Sequence, residues 1–321
     1  MLKRNNDGFR LLPWALLGLA WVCQGCSGHS AEQPKAPPEH RPTTTLEQSI
    51  QSEDFGTTTS DLAAYRFYLG DDFPRCLAEL DGNDHWIDGG SGDSIAVEEY
   101  LSPPPQSSDN YPTSIQEILQ RPLAGRARVT AITVTGRELA NTSRLRLFHG
   151  RYFEDIPLPE LLSPPFGKAR LITDAHGVLT YTPWLDKALR KYLELLEPAG
   201  TLLIGNVSMC RTVIADQQGR LRSLPAWLET IPGLSVTRPR QDRKREPGPD
   251  SCITVRLSTG DLPEIPELTL LQSTSGPAPS RLFIVGGSPE SKLDIRIRTD
   301  YWRYLRQFPE PYRKSMQDDG R

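Results

Sequence analysis

Two stretches of this 321-residue chain gather the residue types that do chemistry. In the first, His85-Trp86-Ile87-Asp88 runs into Gly89-Gly90-Ser91-Gly92-Asp93-Ser94. An acidic residue ahead of closely spaced glycines predicts a tight turn whose backbone a ligand can approach, because glycine has no Cβ in the way. In the second stretch, Asp174, His176 and Tyr181 stand close together. Histidine titrates near neutral pH and could serve as a base beside a bound ligand. The five histidines are scattered without a metal-ligand spacing, so no metal site is expected. Cys76, Cys210 and Cys252 form no CxxC pair, and buried free thiols are the expectation, although an exported chain could still pair two of them.

These residues need elements to position them. His85 to Asp88 is an apolar run ahead of the turn and predicts a strand, with Ile95 to Tyr100 a short helix that Pro103-Pro104-Pro105 stops. Upstream, Leu62 to Leu69 is closely apolar, and Phe73, Cys76, Leu77 and Leu80 recur at helical spacing. A helix is expected over Ser114 to Leu119, and strands over Arg128 to Val134, Leu145 to Phe148 and Ala169 to Thr173, the last ending at Asp174. Pro183 to Leu196 is the clearest helix, with Leu185, Ala188, Leu189, Tyr192, Leu193 and Leu196 on one stripe. Pro198-Ala199-Gly200 is expected to break it before an apolar strand, Thr201 to Ile204. Leu224 to Thr230 looks helical, and Ser235 to Thr237 pairs with Ile253 to Leu257 as an antiparallel hairpin. Strands alternating with helices predict a mostly parallel α/β sheet. Beyond Ser258 the pattern weakens: Leu262 to Pro279 reads as loop, Arg281 to Val285 and Leu293 to Ile297 as strands, and Tyr301 to Arg306 as a short helix.

The N-terminus reads as an address. A basic start is followed by the uncharged apolar run Leu11 to Val22, shorter than the roughly 20 residues that span a bilayer. The Gly25-Cys26 step after it resembles the lipobox of bacterial lipoproteins. That resemblance implies lipidation at Cys26, a membrane anchor through that lipid and a cell-envelope location; an unused signal would leave the chain cytoplasmic. Four segments are expected: signal peptide 1–26, flexible polar linker 27–60, folded domain 61–258 and a C-terminal extension 259–321. A net charge of −3 argues against nucleic acid as a partner. The basic loop Arg238 to Arg245 is expected to be a solvated hairpin tip.

Asp88-Gly89-Gly90-Ser91-Gly92 resembles the first motif of class I S-adenosylmethionine-dependent methyltransferases. Leu171 to Tyr181 resembles that family's fourth strand and the loop after it, and Ala188 to Ile204 its helix, Pro-x-Gly turn and fifth strand. The resemblance spans roughly Tyr65 to Leu257. It implies a Rossmann-like fold with a mostly parallel seven-stranded sheet and a C-terminal antiparallel hairpin. It also implies S-adenosylmethionine as cofactor and a small-molecule or protein methyl acceptor. Ligands of such sheets lie at the carboxyl ends of the strands. The amino-acid part of the cofactor would lie over Gly90 and Gly92, with Asp88 orienting it through Gly89 and Asp174 lining the same cleft. Tyr152 or Phe153 could stack on the purine, and His176 and Tyr181 would meet the acceptor. The chain departs from the family at two places. Thr135 stands where an acidic residue holds the ribose, with Glu138 three residues late, and Gly150-Arg151-Tyr152 replaces a Gly-Asp pair. Threonine lacks the two acceptor oxygens of a carboxylate. Two alternatives follow. One is a non-catalytic methyltransferase-like binding domain of an exported lipoprotein. The other is an esterase, since Gly92-Asp93-Ser94-Ile95 resembles a GDSL block with Ser94 as nucleophile.

Overall fold

The computed structural model describes residues 60–103, 111–134, 136–205, 212–238, 252–273 and 280–286. The expectations for the signal peptide, Cys26, the linker up to residue 59, Thr135, Cys210, residues 239–245 of the basic loop and the segments after Gly286 lie outside the described residues.

The main sheet has seven strands in the order β3-β2-β1-β4-β5-β9-β8. These are β1 (His85–Asp88), β2 (Arg128–Thr133), β3 (Leu145–His149), β4 (Ala169–Asp174), β5 (Leu196–Ile204), β8 (Leu234–Thr237) and β9 (Ile253–Leu257). Neighbours from β3 to β5 pair in parallel, β9 runs antiparallel to β5, and β8 runs antiparallel to β9. The expected mostly parallel sheet with an antiparallel hairpin is therefore the observed one. β1 is central and buried along its whole length, as a parallel strand covered on both faces must be.

Side chains alternate between the two faces, and each face has its own core. Trp86, Val129, Ala131, Leu171 and Leu203 face α1 (Leu62–Leu69), α2 (Asp72–Ala78), α3 (Ile95–Leu101) and α4 (Thr113–Leu119). Ile87, Ile132, Ile172 and Leu202 share the opposite core with α7 (Leu185–Leu195), which follows the single-turn helices α5 (Leu158–Leu161) and α6 (Val178–Tyr181). Asp61 caps α1, its Oδ1 accepting from the Ala64 N–H at 2.7 Å.

One expected break is absent. α7 ends at Leu195, and Leu196 to Ile204 forms one strand that includes Pro198-Ala199-Gly200. The register shifts between Ala169 and Leu171, and Pro198 lies in that irregular, exposed part. A bulge of this kind tolerates proline because no ladder bond needs its N–H.

A second sheet of four strands, β10-β11-β6-β7, was only partly legible. It combines β6 (Thr212–Ala215) and β7 (Leu221–Ser223), which lie ahead of α8 (Leu224–Leu228), with β10 (Leu268–Ser273) and β11 (Arg281–Val285). β11 falls where expected, whereas β10 lies inside a stretch read as loop. β10 is an edge strand with a register shift between Leu270 and Gln272, so its burial does not alternate. Ile214, Leu268 and Phe283 of this sheet join the same core as α7. Among the described residues, no helix is long and apolar enough to cross a membrane.

Candidate functional site

The expected site residues among those described lie at the carboxyl edge of the main sheet. β1 ends at Asp88, and the turn that follows is tied to both neighbouring strands. The Gly89 N–H donates to the Thr173 carbonyl at 2.8 Å, and the Ser91 N–H to the Ile132 carbonyl at 3.0 Å. α3 begins after Ser94, which takes the left-handed conformation at φ 59°.

On the side a Cβ would take, the space beside Gly89 and Gly90 is filled by the chain itself. A Cβ on Gly89 would stand 1.7 Å from the Tyr192 Oη, and one on Gly90 would stand 2.2 Å from the Gly177 Cα. Gly92 is approached from β2: its carbonyl accepts from Thr133 Oγ1 at 2.8 Å, and a Cβ on Gly136 would stand 1.7 Å from that same oxygen. The loop after β4 thus lies directly on the turn after β1.

Asp88 and Asp174 are both fully buried. Asp88 accepts from Tyr65 Oη at 2.6 Å on one oxygen and from Thr173 Oγ1 at 3.0 Å on the other. The Thr173 hydroxyl in turn accepts from Trp86 Nε1 at 2.8 Å. Burial raises the Asp88 pKa to about 7, against the pull of those hydroxyl donors. Asp174 accepts from the Gly177 and Leu179 N–H groups and from Tyr192 Oη, each at 2.9 Å. It is therefore a cap for the loop and for α6, a common role for aspartate. Burial raises its pKa too. Tyr65 and Tyr192 are pushed well above the ordinary tyrosine value, first by burial and then by the carboxylates they serve.

His176 and Tyr181 lie half-buried in and just after this loop, with ring centroids 5.6 Å apart and Tyr181 Oη 3.5 Å from His176 Nε2. Burial lowers the His176 pKa, favouring the neutral imidazole. Tyr152 follows β3 on the outside and is 42% exposed. Its neighbour Phe153 is core, stacked on Tyr192 at 4.4 Å between centroids. Lys191 of α7 fixes that segment by donating to the Phe153, Glu154 and Ile156 carbonyls. Val134 after β2 and Trp184 before α7 are also exposed at this edge. Glu138, the late acidic residue, is exposed.

The sequence did not single out Tyr65, Thr173 and Tyr192 as partners of the two aspartates. A signal was present, because tyrosine within an otherwise aliphatic stripe needs a hydrogen-bond partner once buried. The esterase reading loses its nucleophile: Ser94 is fully buried, with its hydroxyl 2.9 Å from that of Ser91. His85 bonds to the Gly167 carbonyl and the Thr130 hydroxyl, and burial lowers its pKa to about 4. His149 bonds to the Gly136 carbonyl. Cys76 and Cys252 are buried free thiols. Among the described residues, no group of three His, Cys, Asp or Glu side chains could hold a metal ion.

No protein-family model and no curated protein matches the chain. Solved structures resemble it at low scores. An rRNA methylase from Streptococcus thermophilus is 15% identical with a TM-score of 0.32, covering 58% of this chain and 94% of its own. The N-methyltransferase NodS from Bradyrhizobium japonicum, solved with S-adenosyl-L-homocysteine, is 13% identical with a TM-score of 0.34, covering 67% and 97%. Precorrin 8w decarboxylase from Methanobacterium thermoautotrophicum is 16% identical with a TM-score of 0.26, covering 57% and 86%. The strand order itself shows a mostly parallel, Rossmann-like α/β sheet of seven strands with an antiparallel pair at one end.

Proposed function

We propose that this chain is a methyltransferase-fold binding domain that does not use S-adenosylmethionine at its glycine turn. One observation carries the reading: the backbone of Gly177 packs against Gly90 on the side a Cβ would take. The residues present do not fit the cofactor as they stand. Both Asp88 oxygens already accept from Tyr65 and Thr173, and the Gly92 carbonyl accepts from Thr133. The second strand leads to Thr135 instead of a carboxylate, which removes the two acceptors a ribose would want. The small size of these glycines is used to pack two loops together. A ligand of this domain, a small molecule or a protein segment, meets the outer rim of the same edge, where Val134, Tyr152 and Trp184 are exposed.

Isothermal calorimetry of the full chain with S-adenosylhomocysteine tests the reading. No heat at millimolar ligand is expected, and saturable binding would overturn it. The second reading is an S-adenosylmethionine-dependent methyltransferase acting on a small-molecule or protein acceptor. It is favoured by the strand order and by His176 and Tyr181 standing together at the carboxyl edge. Binding of S-adenosylhomocysteine together with transfer of labelled methyl to an acceptor would establish it.

The export signal supports a cell-envelope location with a lipid anchor at Cys26, and it agrees with the first reading because the cofactor is a cytosolic metabolite. Fractionation of cells expressing the full-length chain and its Cys26→Ala variant checks this. The native protein is expected in the membrane fraction and the variant outside it.

A further inference from the structure

Arg281 is the most unusual side chain outside the site. It is charged and almost fully buried, and it belongs to β11 of the second sheet. Burying a guanidinium is costly unless its donors and charge are accommodated. Its Nη1 donates to the Thr182 carbonyl at 2.5 Å and its Nη2 to the Thr212 hydroxyl at 2.7 Å. The same Nη2 donates to the Leu179 carbonyl. The guanidinium also lies 5.4 Å from the centroid of the Phe283 ring.

Leu179 and Thr182 bracket Tyr181 in the chain. Their carbonyls are at the C-terminal end of α6, where orphan acceptors and partial negative charge favour a cation. The other end of the same loop is held by Asp174, which accepts from the Gly177 and Leu179 N–H groups. The Arg281 charge also favours the ionised Asp174. The loop that covers Gly90 is thus gripped from β4 at its start and from β11 at its end.

We propose that Arg281 is a positioning residue that latches the loop after β4 onto the glycine turn, so that the second sheet decides whether the turn is closed. The proposal rests on the closed-turn reading above and extends it by naming what does the closing. The planar fork matters as much as the charge, because one guanidinium reaches both carbonyls that flank Tyr181 and lysine offers a single point of contact.

The test uses the full chain in native, Arg281→Met, Arg281→Lys and Thr212→Val forms. Hydrogen exchange is read by peptide, and His176 is titrated by NMR on histidine-labelled protein, its signal assigned with His176→Gln. In Arg281→Met, exchange over Gly177–Trp184 and Gly89–Ser94 is expected to rise together by about tenfold, while the α1–α4 face stays unchanged. The His176 midpoint should move up toward the ordinary histidine value of about 6.5 as its burial is relieved. Arg281→Lys should fall between native and Arg281→Met. Thr212→Val, which spares both loop carbonyls, should behave as native in both readouts. If Arg281→Met does not fold, Phe283→Leu carries the same test, with smaller shifts in the same direction. Unchanged exchange in the two loops, or a rise spread evenly over the whole domain, would overturn the latch. S-adenosylhomocysteine binding by the native chain would sink the closed-turn reading instead, and the exchange pattern would still judge Arg281.

Discussion

The turn after β1 and the turn after β3 stand at the same edge of the same sheet, and both are glycine turns. They use glycine for opposite reasons. At Gly90 the requirement is space, because a Cβ would stand 2.2 Å from the Gly177 Cα. At Gly150 it is conformation: φ is 68°, and a Cβ there would meet nothing within 4 Å. The first turn is packed against the chain's own atoms on the side a Cβ would take at Gly89 and Gly90. The second leads to Tyr152, which faces solvent. A glycine-rich motif therefore marks close approach without saying what approaches.

The largest effect should come from filling the closed turn. Gly90→Ala drives a methyl into backbone, which cannot swing aside as a side chain can, and is expected to cost about 4 kcal/mol or to prevent folding. A denaturant melt that finds Gly90→Ala within 1 kcal/mol of native, on the order of an ordinary surface change, would show that the loop after β4 yields easily.

The pH dependence comes next. The Asp88 pKa is raised in the folded protein to about 7, above its value in the unfolded chain. The folded state then holds a proton that the unfolded state has released. Its contribution is fully present below the unfolded pKa and is lost as pH rises through about 7, a fall of roughly 4 kcal/mol across the window. Asp88→Asn should flatten that slope, as measured by urea midpoints at stepped pH. An equal slope in native and variant would assign it to other groups.

Gly150→Ala tests the open turn and should cost only about 1 kcal/mol, since strain without overlap is the whole penalty. Tyr152→Ala should be smaller still, within about 0.5 kcal/mol in the same melts. If Tyr152→Ala were as damaging as Gly90→Ala, the two turns would not differ in the way their geometry states.

Much of the frame could be read from local pattern. Trp86 and Ile87 entering different cores, the stripe on α7 and the β8–β9 hairpin all follow from periodicity, because one residue type repeated at a fixed interval must face one side. The second sheet was harder. β11 was legible as a strand, but its parallel pairing with β6 across some seventy residues and the irregular edge strand β10 leave no local signature. Pro198 misled for a related reason, since its neighbours suggest a break while the bulge in β5 absorbs it.

By itself the sequence determined where the chemistry-bearing residues stand along the chain. Asp88 and its glycines end one central strand and Asp174 with His176 ends the next, because strand patterning and turn chemistry are local. Only the tertiary structure decided what those residues touch. Tyr65 from α1, Tyr192 from α7, Gly177 from the neighbouring loop and Arg281 from a distant strand are the groups that touch this edge. The reason is physical: a buried carboxylate or carbonyl must be satisfied, and nothing in its own sequence neighbourhood says whether a ligand or the protein itself will do so.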